Sequence, residues 1–291
     1  MNVPAPVVAW LAAEGHGRVV ELQPVPGGCI NQGAILRTDG GPSFFLKQNA
    51  GAPETMFHRE AEGLRALVVE GGPRLPSPLL AGADFLLLED LRPAAPSPGY
   101  WETFGRQLAR LHNHTADTFG FQHDNFLGTT PQPNPPTPDG FEFFAVHRLK
   151  YQARLAGERG LLSGGDRDRI HKLAGALRDL IPPQPASLIH GDLWSGNALT
   201  GPAGEPALID PAAHYGWAEA ELGMTDLFGG FPDRFYAAYM EARPLQSAWR
   251  DRLPIYNLYH LLNHLNLFGA GYLGQVQAIL DRFSTRFGST M

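Results

Sequence analysis

Three polar side chains that follow short apolar runs constrain this chain more than any other feature. Residues 188–197 read LIHGDLWSGN, and the apolar run 207–209 leads directly into Asp210. Asn197 follows Asp192 by five positions, and Asp210 follows Asn197 by 13 positions. We expect all three side chains on loops at the ends of short strands. Two carboxylates and an amide so placed can hold an attacking hydroxyl group and a Mg²⁺ ion on phosphate oxygens.

The separation of Asp192 and Asn197 is that of the catalytic loop H-R-D-x-x-x-x-N in protein kinases. In that arrangement Asp192 mainly orients the hydroxyl group, because phosphoryl transfer passes through a loose transition state. Asn197 and Asp210 then hold the metal ion. His190 titrates near neutrality and could act as a base, but the kinase template favours a packing role behind the loop. We therefore predict Asp192 as the catalytic residue.

Trp194 lies on the same loop as Asp192, two positions further along the chain. An indole at this position can belong to the protein core. It can equally stack against a sugar or alkyl-amine substrate, and the sequence leaves both roles open. We take Trp194 as the candidate substrate-binding residue.

Composition excludes several classes of protein. The 291 residues carry a net charge of −6, so the chain lacks the basic surface typical of nucleic-acid or anionic-membrane binding. No apolar run reaches the roughly 18 residues that a membrane span needs, and the N-terminus lacks the pattern of a signal peptide. The single cysteine, Cys29, cannot form an intrachain disulfide and fits a reducing compartment. We expect a cytoplasmic protein that binds neither nucleic acid nor membrane.

The first 90 residues predict a small β-rich lobe. Apolar and β-branched runs bounded by turn residues indicate strands at 19–25, 34–37, 43–47 and 85–89. Helical periodicity indicates helices at 7–13 and 53–70.

Beyond a proline-rich crossing at 93–98 the chain is mostly helical. Helices are predicted at 98–114, 139–157, 166–180, 219–228, 232–242 and 250–287, the last broken near Gly269. A loop is expected at 120–138, and short strands are expected around 188 and at 206–209. The whole is an α+β, bilobal, protein-kinase-like fold, with a nucleotide-binding lobe of residues 1–90 and a helical catalytic and substrate-binding lobe of residues 91–291. The nucleotide would lie in the cleft between the lobes.

A glycine-rich turn separates the first two predicted strands. It reads GGCINQG at residues 27–33, and glycines let backbone amides approach phosphate oxygens in an anion-binding nest. An ordinary hairpin loop is the alternative. The turn does not match the protein-kinase pattern G-x-G-x-x-G-x-V, and the absence of G-x-x-x-x-G-K-[ST] excludes a P-loop NTPase. The candidate phosphate-binding residues are Gly27, Gly28, Cys29 and Ile30.

Lys47 ends the predicted strand Phe-Phe-Leu-Lys, which resembles the V-A-I-K strand of kinases. An ion pair with Glu60, on the following helix, would aim its ammonium group at the phosphates. Glu62 is the competing partner, but Leu64 and Leu67 place Glu60 on the apolar side of the helix. A solvated charge at a strand end is the alternative for the lysine.

Glu89 and Leu91 lie where the buried strand at 85–89 ends. A kinase hinge offers backbone groups to adenine at this position, so we take both as candidate nucleotide-binding residues. A strand exit with solvated acids is the alternative.

Together these motifs make the chain similar to the fructosamine kinase (ketosamine 3-kinase) family over nearly its whole length. The resemblance rests on GGCIN from Gly27, MFHRE from Met56, NFLGTTPQPN from Asn125, LWSGN from Leu193, DPA from Asp210, YG from Tyr215, EAELGM from Glu219 and LFGGF from Leu227. The core H-G-D-x-x-x-x-N is shared with aminoglycoside and choline kinases, whereas the forms LWSGN, FGGF and GGCIN are more specific to fructosamine kinases.

The resemblance implies ATP-dependent phosphorylation of the hydroxyl group on the third sugar carbon of a ketosamine, which makes the adduct labile and serves deglycation. It implies ATP and Mg²⁺ as cofactors and a free or protein-bound ketosamine as substrate, with ribulosamines and erythrulosamines favoured in bacterial-type members. Asp210 begins a D-P-A sequence in place of the D-F-G of protein kinases, and no activation segment is recognisable. Both departures favour a small substrate.

Carried over by position, the resemblance assigns the roles that the residue pattern suggests. It makes Asp192 the proton acceptor, and it makes Asn197 and Asp210 the metal ligands. It pairs Lys47 with Glu60, and it places the adenine hinge at the strand exit described above.

Cys29 lies inside the predicted phosphate-binding turn. Surrounding backbone amides favour the thiolate form of a cysteine, and in some relatives the cysteine of this loop forms an intermolecular disulfide. We therefore keep a redox-linked homodimer through Cys29 as a hypothesis, beside an inert small residue as the alternative.

Two other functions stay open. One is another kinase of the same scaffold that acts on an aminoglycoside, choline or homoserine, and the other is a binding protein with a degenerate kinase fold. An aminoglycoside kinase would present many acidic residues in the substrate half, whereas Trp194 and the Gly-Gly-Phe segment at 229–231 fit a ketosamine kinase better. The presence of the complete candidate set argues against a degenerate fold.

Overall fold

The computed structural model describes residues 2–26 and 30–284. Its N-terminal part is built on a five-stranded antiparallel sheet with the strand order β1-β2-β3-β5-β4. The strands are β1 Val19–Val25, β2 Gln32–Thr38, β3 Ser43–Gln48, β4 Pro78–Ala81 and β5 Phe85–Glu89. Four of the five residues of β5 are buried, as expected for an interior strand that is covered on both faces.

The N-terminal part also contains two helices, and each of them packs in a different apolar cluster. Helix α1 Ala5–Ala13 buries Val7 and Leu11 against residues of β2, β3 and β5. Helix α2 Met56–Ala66 buries Phe57 and Leu64 in the main core, which continues through the rest of the protein.

The C-terminal part is mostly helical, with short strands between the helices. The helices are α3 Tyr100–His112, α4 Gly140–Phe144, α5 Tyr151–Glu158, α6 Gly164–Gly175, α7 Leu177–Leu180, α8 Ala218–Leu227, α9 Asp233–Ala242, α10 Trp249–Phe268 and α11 Leu273–Ser284. A π-helical turn at Ala145–Lys150 joins α4 to α5, and a 3-10 turn at Ala270–Tyr272 joins α10 to α11. Helices α3 and α9 approach closely because Gly105 has no side chain, and a Cβ there would collide with Phe235 O.

Seven short strands form three small sheets that carry the polar loops. Strands β6 Thr115–Ala116, β9 Ala186–Ile189 and β12 His214–Gly216 make a sheet in the order β12-β9-β6. Strands β7 Asn125–Leu127 and β8 Thr130–Gln132 form one hairpin, and β10 Ala198–Thr200 and β11 Pro206–Leu208 form another.

Arg74 joins the two parts of the protein through its backbone. Its N–H donates to Pro206 O at 3.0 Å and its carbonyl accepts from Leu208 N at 2.8 Å, so the loop before β4 pairs with β11. The loops that follow β9 and β11 therefore open beside the five-stranded sheet.

The predicted α+β arrangement of a β-sheet lobe and a helical lobe is confirmed. The prediction of a structureless loop at 120–138 is wrong, because this segment forms the β7–β8 hairpin. Strand β4 was also missed, since it has four residues and begins at Pro78, where the missing N–H weakens a strand signal. Helix α2 ends at Ala66 and not at residue 70, before the β-branched pair at 68–69.

No helix among residues 2–26 and 30–284 is both long enough and apolar enough to cross a membrane.

Candidate active site

Lys47 stands at the centre of a buried ionic cluster. It lies on β3 opposite Leu86 of β5, and it is 4% exposed. Its Nζ is 2.6 Å from Glu60 Oε1 and 2.8 Å from Asp210 Oδ1. The competing candidate, Glu62, points elsewhere and pairs with other residues. The structure thus brings a lysine, a helix carboxylate and the loop carboxylate into one contact.

The charges of this cluster support one another. Burial alone would lower the pKa of Lys47, but the carboxylates of Asp210 and Glu60 outweigh it and hold the pKa above its ordinary value. Burial raises the pKa of Glu60, and the ammonium group of Lys47 partly offsets that rise. Lys47 is therefore a cation at neutral pH.

The loop after β9 turns sharply at the residue before Asp192. Gly191 has φ +83°, and a Cβ there would collide with Ala212 O, so only glycine fits. Asn197 Nδ2 donates to Asp192 O at 2.8 Å and to Asp192 Oδ2 at 3.2 Å. The amide thereby orients the carboxylate that follows His190.

The surroundings of Asp192 disfavour the charged form of its carboxyl group. Burial first, and then the nearby charge of Asp210, raise the pKa of Asp192 well above its ordinary range, and the hydrogen bond from Asn197 offsets only part of the rise. No ion pair joins Asp192 to a cation within residues 2–26 and 30–284. A carboxylate in this state favours the arrival of a cation or of a hydroxyl donor.

Asn197 and Asp210 offer oxygen atoms that fit a hard cation. Ile209 N donates to Asn197 O at 3.1 Å, which ties the two loops together one residue before Asp210. Asn197 Oδ1 and Asp210 Oδ2 accept no hydrogen bond from any described residue, and the Asp210 side chain is 43% exposed. Carboxylate and amide oxygens are the ligands that Mg²⁺ takes in nucleotide sites, so these residues fit that ion.

Glu221 lies behind the catalytic loop and was not among the predicted site residues. Its carboxylate accepts from the backbone N–H groups of His190 and Gly191, each at 2.7 Å, and it lies 3.1 Å from His112 Nε2. Burial would raise the pKa of Glu221, but the hydrogen bond from His112 and the backbone donors hold it below its ordinary value. No spacing rule in the sequence connects α8 to this loop, because the contact is formed by packing.

His190 packs behind the loop, as the kinase template suggests. Its Nε2 lies 2.8 Å from Ile209 O, and its Nδ1 accepts from Asp192 N at 3.3 Å. Burial lowers its pKa. Since both ring nitrogens are engaged with backbone groups, the imidazole is not free to take a proton from a substrate.

Trp194 begins a chain of aromatic rings beside the catalytic loop. Its ring centroid is 6.3 Å from that of Phe228, which lies 4.8 Å from His264. His264 is in turn 5.4 Å from Phe268 and 5.1 Å from Tyr272. Trp194 is half-buried, outside the main apolar core. The indole is therefore partly exposed beside the loop that carries Asp192.

The glycine-rich turn is described in part. Gly27, Gly28 and Cys29 lie outside the described residues. Ile30 is described, and its carbonyl accepts from Asn49 Nδ2 at 3.2 Å. A Cβ built at Gly128, in the turn between β7 and β8, would lie 2.6 Å from Ile30 Cδ1. The end of the turn thus lies against the tip of the β7–β8 hairpin.

Comparison with known proteins decides which family this geometry represents. A family model described as fructosamine kinase matches residues 7–286. The chain belongs to the fructosamine kinase family. The predicted resemblance is thereby confirmed.

Relatives of this fructosamine kinase family member cover its full length. A probable ketoamine kinase from Synechocystis is 42% identical over 97% of this chain and 98% of the relative. A chloroplastic protein-ribulosamine 3-kinase from Arabidopsis thaliana is 37% identical over 96% of this chain and 87% of the relative. A putative fructosamine-3-kinase from Thermobifida fusca aligns with a TM-score of 0.86 at 35% identity, covering 98% of this chain and 100% of that chain.

An aminoglycoside phosphotransferase is similar in fold alone. It aligns with a TM-score of 0.60 at 16% identity, covering 98% of this chain and 100% of that chain. The fold is thus that of the kinase-like phosphotransferases, while the sequence relationship is to the fructosamine kinases.

Glu89 and Leu91, the two predicted hinge residues at the end of β5, differ in their contacts. Glu89 pairs with Arg74, and its Oε2 accepts from Ser77 N at 3.2 Å. The Glu89 N–H donates to Ser77 O at 2.9 Å. Leu91 is 6% exposed, and within the described chain its backbone N–H and carbonyl make no hydrogen bond. Of the two predicted hinge residues, Leu91 is the one with free backbone groups.

Proposed function

We propose that this protein is an ATP-dependent ketosamine 3-kinase, which transfers the γ-phosphoryl group of ATP to the hydroxyl on the third sugar carbon of a glycated amine. The observation that carries the proposal is the joint contact of Lys47 with Glu60 and Asp210, beside an Asp192 oriented by Asn197. Relatives named ketoamine kinase and protein-ribulosamine 3-kinase support the choice of acceptor.

Each residue of the cluster has one task in this reaction. Asp192 accepts a hydrogen bond from the acceptor hydroxyl and orients its oxygen toward the phosphorus atom. Lys47, held by Glu60, binds phosphate oxygens of the nucleotide. Asn197 and Asp210 would hold Mg²⁺, and the bound ion would supply positive charge beside the phosphate oxygens.

The remaining predicted residues bind the two substrates. Backbone groups of Glu89 and Leu91 receive adenine, with Leu91 as the principal contact. The proposed phosphate-binding residues are Gly27, Gly28, Cys29 and Ile30. Trp194 stacks on the sugar or on the amine of the ketosamine, as its partial exposure beside Phe228 and the Asp192 loop supports.

The proposed division of labour places the nucleotide lobe at residues 1–90 and the catalytic and substrate lobe at residues 91–291. A cytoplasmic location is proposed from the single cysteine.

A redox-linked homodimer through Cys29 is tested on a non-reducing gel before and after mild oxidant. A band that stays monomeric, with unchanged activity, rejects the dimer.

Mg²⁺-dependent ADP release tests the proposed reaction. The acceptors are ribuloselysine, erythruloselysine, fructoselysine, kanamycin and choline, each tested with wild type and Asp192→Asn. We expect turnover with the ketosamines alone, with the four- and five-carbon sugars preferred, and loss of turnover in the variant. Mass spectrometry and phosphorus NMR then assign the phosphate to a carbon. Turnover with kanamycin or choline alone would overturn the proposed acceptor.

A further inference from the structure

Side chains of the β7–β8 hairpin form hydrogen bonds with the segment that follows Asp210. Asn125 Nδ2, from β7, donates to Ala213 O at 2.8 Å. Gln132 Nε2, from β8, donates to Ala212 O at 3.1 Å. Two amide side chains of one hairpin thus hold two successive carbonyl groups immediately beyond the candidate metal ligand.

Gln132 has every polar atom of its side chain engaged. Its Nε2 also donates to Asn125 Oδ1 at 2.7 Å, and its Oε1 accepts from the Tyr259 hydroxyl group at 2.6 Å. Gln132 is 1% exposed, Asn125 is 5% exposed and Tyr259 is 4% exposed. A buried amide in this position cannot turn without leaving polar atoms unsatisfied. Its contact with the segment is therefore rigid.

A second element closes the other side of the same segment. A Cβ built at Gly63, on α2, would lie 3.5 Å from Pro211 Cγ, so the helix backbone contacts the residue after Asp210. The same helix carries Glu60, whose partner Lys47 also bonds to Asp210. The loop is thus enclosed between α2 and the hairpin.

The backbone of Asp210 needs such support. Its φ is +58°, in the left-handed region that a residue with a side chain rarely adopts. A conformation of this kind persists when the surrounding contacts determine it. The hydrogen bonds from Gln132 and Asn125 hold the carbonyl groups two and three residues beyond Asp210. Pro211, which lies between, restricts its own φ.

We propose that Gln132, assisted by Asn125, is a positioning residue for the metal site. The β7–β8 hairpin supports Asp210 through contacts built into the fold, whereas activation-loop phosphorylation helps to control the position of the metal-binding aspartate in protein kinases. Because the inference takes Asp210 as a metal ligand, it rests on that part of the proposed function.

Metal affinity measured without turnover tests the proposal. Gln132→Met keeps the length of the side chain and removes its donors. Gln152→Met is the matched control, because Gln152 is also 1% exposed and bonds to Asn263 and Asn266, with no hydrogen bond to residues 210–213 within the described chain. Electron paramagnetic resonance follows Mn²⁺ binding to each protein in complex with a non-hydrolysable ATP analogue.

We expect Gln132→Met to weaken Mn²⁺ binding by about 10-fold or more, as loss of an outer-shell contact does in other metal sites. Gln152→Met should stay within about twofold of the wild type. Wild-type affinity in Gln132→Met, or an equal loss in both variants, would overturn the proposal. If Gln132→Met does not fold, Gln132→Asn enters the same titration, since its amide falls one methylene short of Ala212.

The titration separates this inference from the proposed function. Wild-type protein is also assayed for ketosamine phosphorylation. A wild type that binds Mn²⁺ with the nucleotide and leaves ketosamines unchanged contradicts the proposed acceptor, and the comparison of the two glutamine variants still decides the positioning role.

Discussion

Glu221 and His112 form a hydrogen bond inside the protein, with 3.1 Å between Oε2 and Nε2 and no exposure of either side chain. Burial lowers the pKa of His112, with the Glu221 hydrogen bond as a partial offset, so the imidazole is neutral and donates through Nε2. The carboxylate also receives two backbone N–H groups of the catalytic loop. Helix α8 therefore sets the position of that loop from behind.

Glu221→Gln should damage both stability and turnover. The glutamine amide has an NH₂ group where Glu221 has an acceptor oxygen, and this group would face the N–H donors that now bond to the carboxylate. We therefore expect the free energy of unfolding to fall by about 2 kcal/mol. The catalytic loop moves, and kcat should fall by about 10- to 100-fold. Urea unfolding and steady-state kinetics measure the two effects.

Glu219→Gln is the matched control for that variant. Glu219 lies on the same helix, is 2% exposed and bonds to Arg252 at 2.6 Å, away from the catalytic loop. We expect it to lose stability and keep kcat. An equal loss of kcat in both variants would show that the loop position does not depend on Glu221.

Glu60→Gln should impair nucleotide use, while Glu62→Gln should not. The first change removes the charge that holds Lys47 together with Asp210, so kcat/KM for ATP should fall by about 100-fold. Glu62 pairs with Arg59 at the surface, at 2.7 Å, and serves as the control. Initial rates over a range of ATP concentrations measure both. The opposite ranking would exchange the roles of the two carboxylates.

Asp192→Asn should stabilise the protein when metal and nucleotide are absent. Burial and the charge of Asp210 raise the pKa of Asp192 in the folded state, so the folded state binds this proton more tightly than the unfolded state. The stability from that proton is complete below the unfolded pKa and is lost as pH rises through the folded pKa. At neutral pH we expect a gain on the order of 1 kcal/mol in the variant.

The gain in Asp192→Asn should shrink as the pH falls below the raised pKa, because the wild-type carboxyl group is then neutral as well. Urea unfolding at several pH values measures it, with Asp226→Asn as an exposed control on α8. A gain that does not change with pH would mean that the charge of Asp192 does not destabilise the folded state.

Trp194→Ala should weaken acceptor binding and leave the nucleotide unaffected. The indole is half-buried with Phe228 as its aromatic neighbour and stacks on the acceptor in the proposed reaction, so we expect the ketosamine KM to rise by about 10-fold. The KM for ATP should stay the same, and Trp194→Phe should recover most of the loss. An unchanged ketosamine KM with lowered stability would assign the indole to the core.

The residue types at the site could be predicted from spacing along the chain. Asp192, Asn197 and Asp210 each stand close to a short apolar strand, and a polar residue at such a position is placed by local geometry. Lys47 was predicted because it ends an apolar strand that resembles V-A-I-K. Its burial next to the buried Leu46 departs from the alternation of a strand.

The partners of these residues depended on tertiary structure. Leu64 and Leu67 favoured Glu60 over Glu62 as the partner of Lys47, but the contact itself and the addition of Asp210 to it come from the packing of α2 and the loop after β11. The hairpin at 120–138 gave no periodic signal, because its strands have three residues each.

The family and the list of candidate site residues thus came from the sequence alone, because motifs and strand ends are local. The contacts that support the site from behind were decided by the tertiary structure. Gln132 and Ala212 are 80 positions apart, and His112 and Glu221 are 109 positions apart. A side chain buried between elements so distant in sequence has no periodic or spacing signature, since its partner is chosen by how whole helices and hairpins pack.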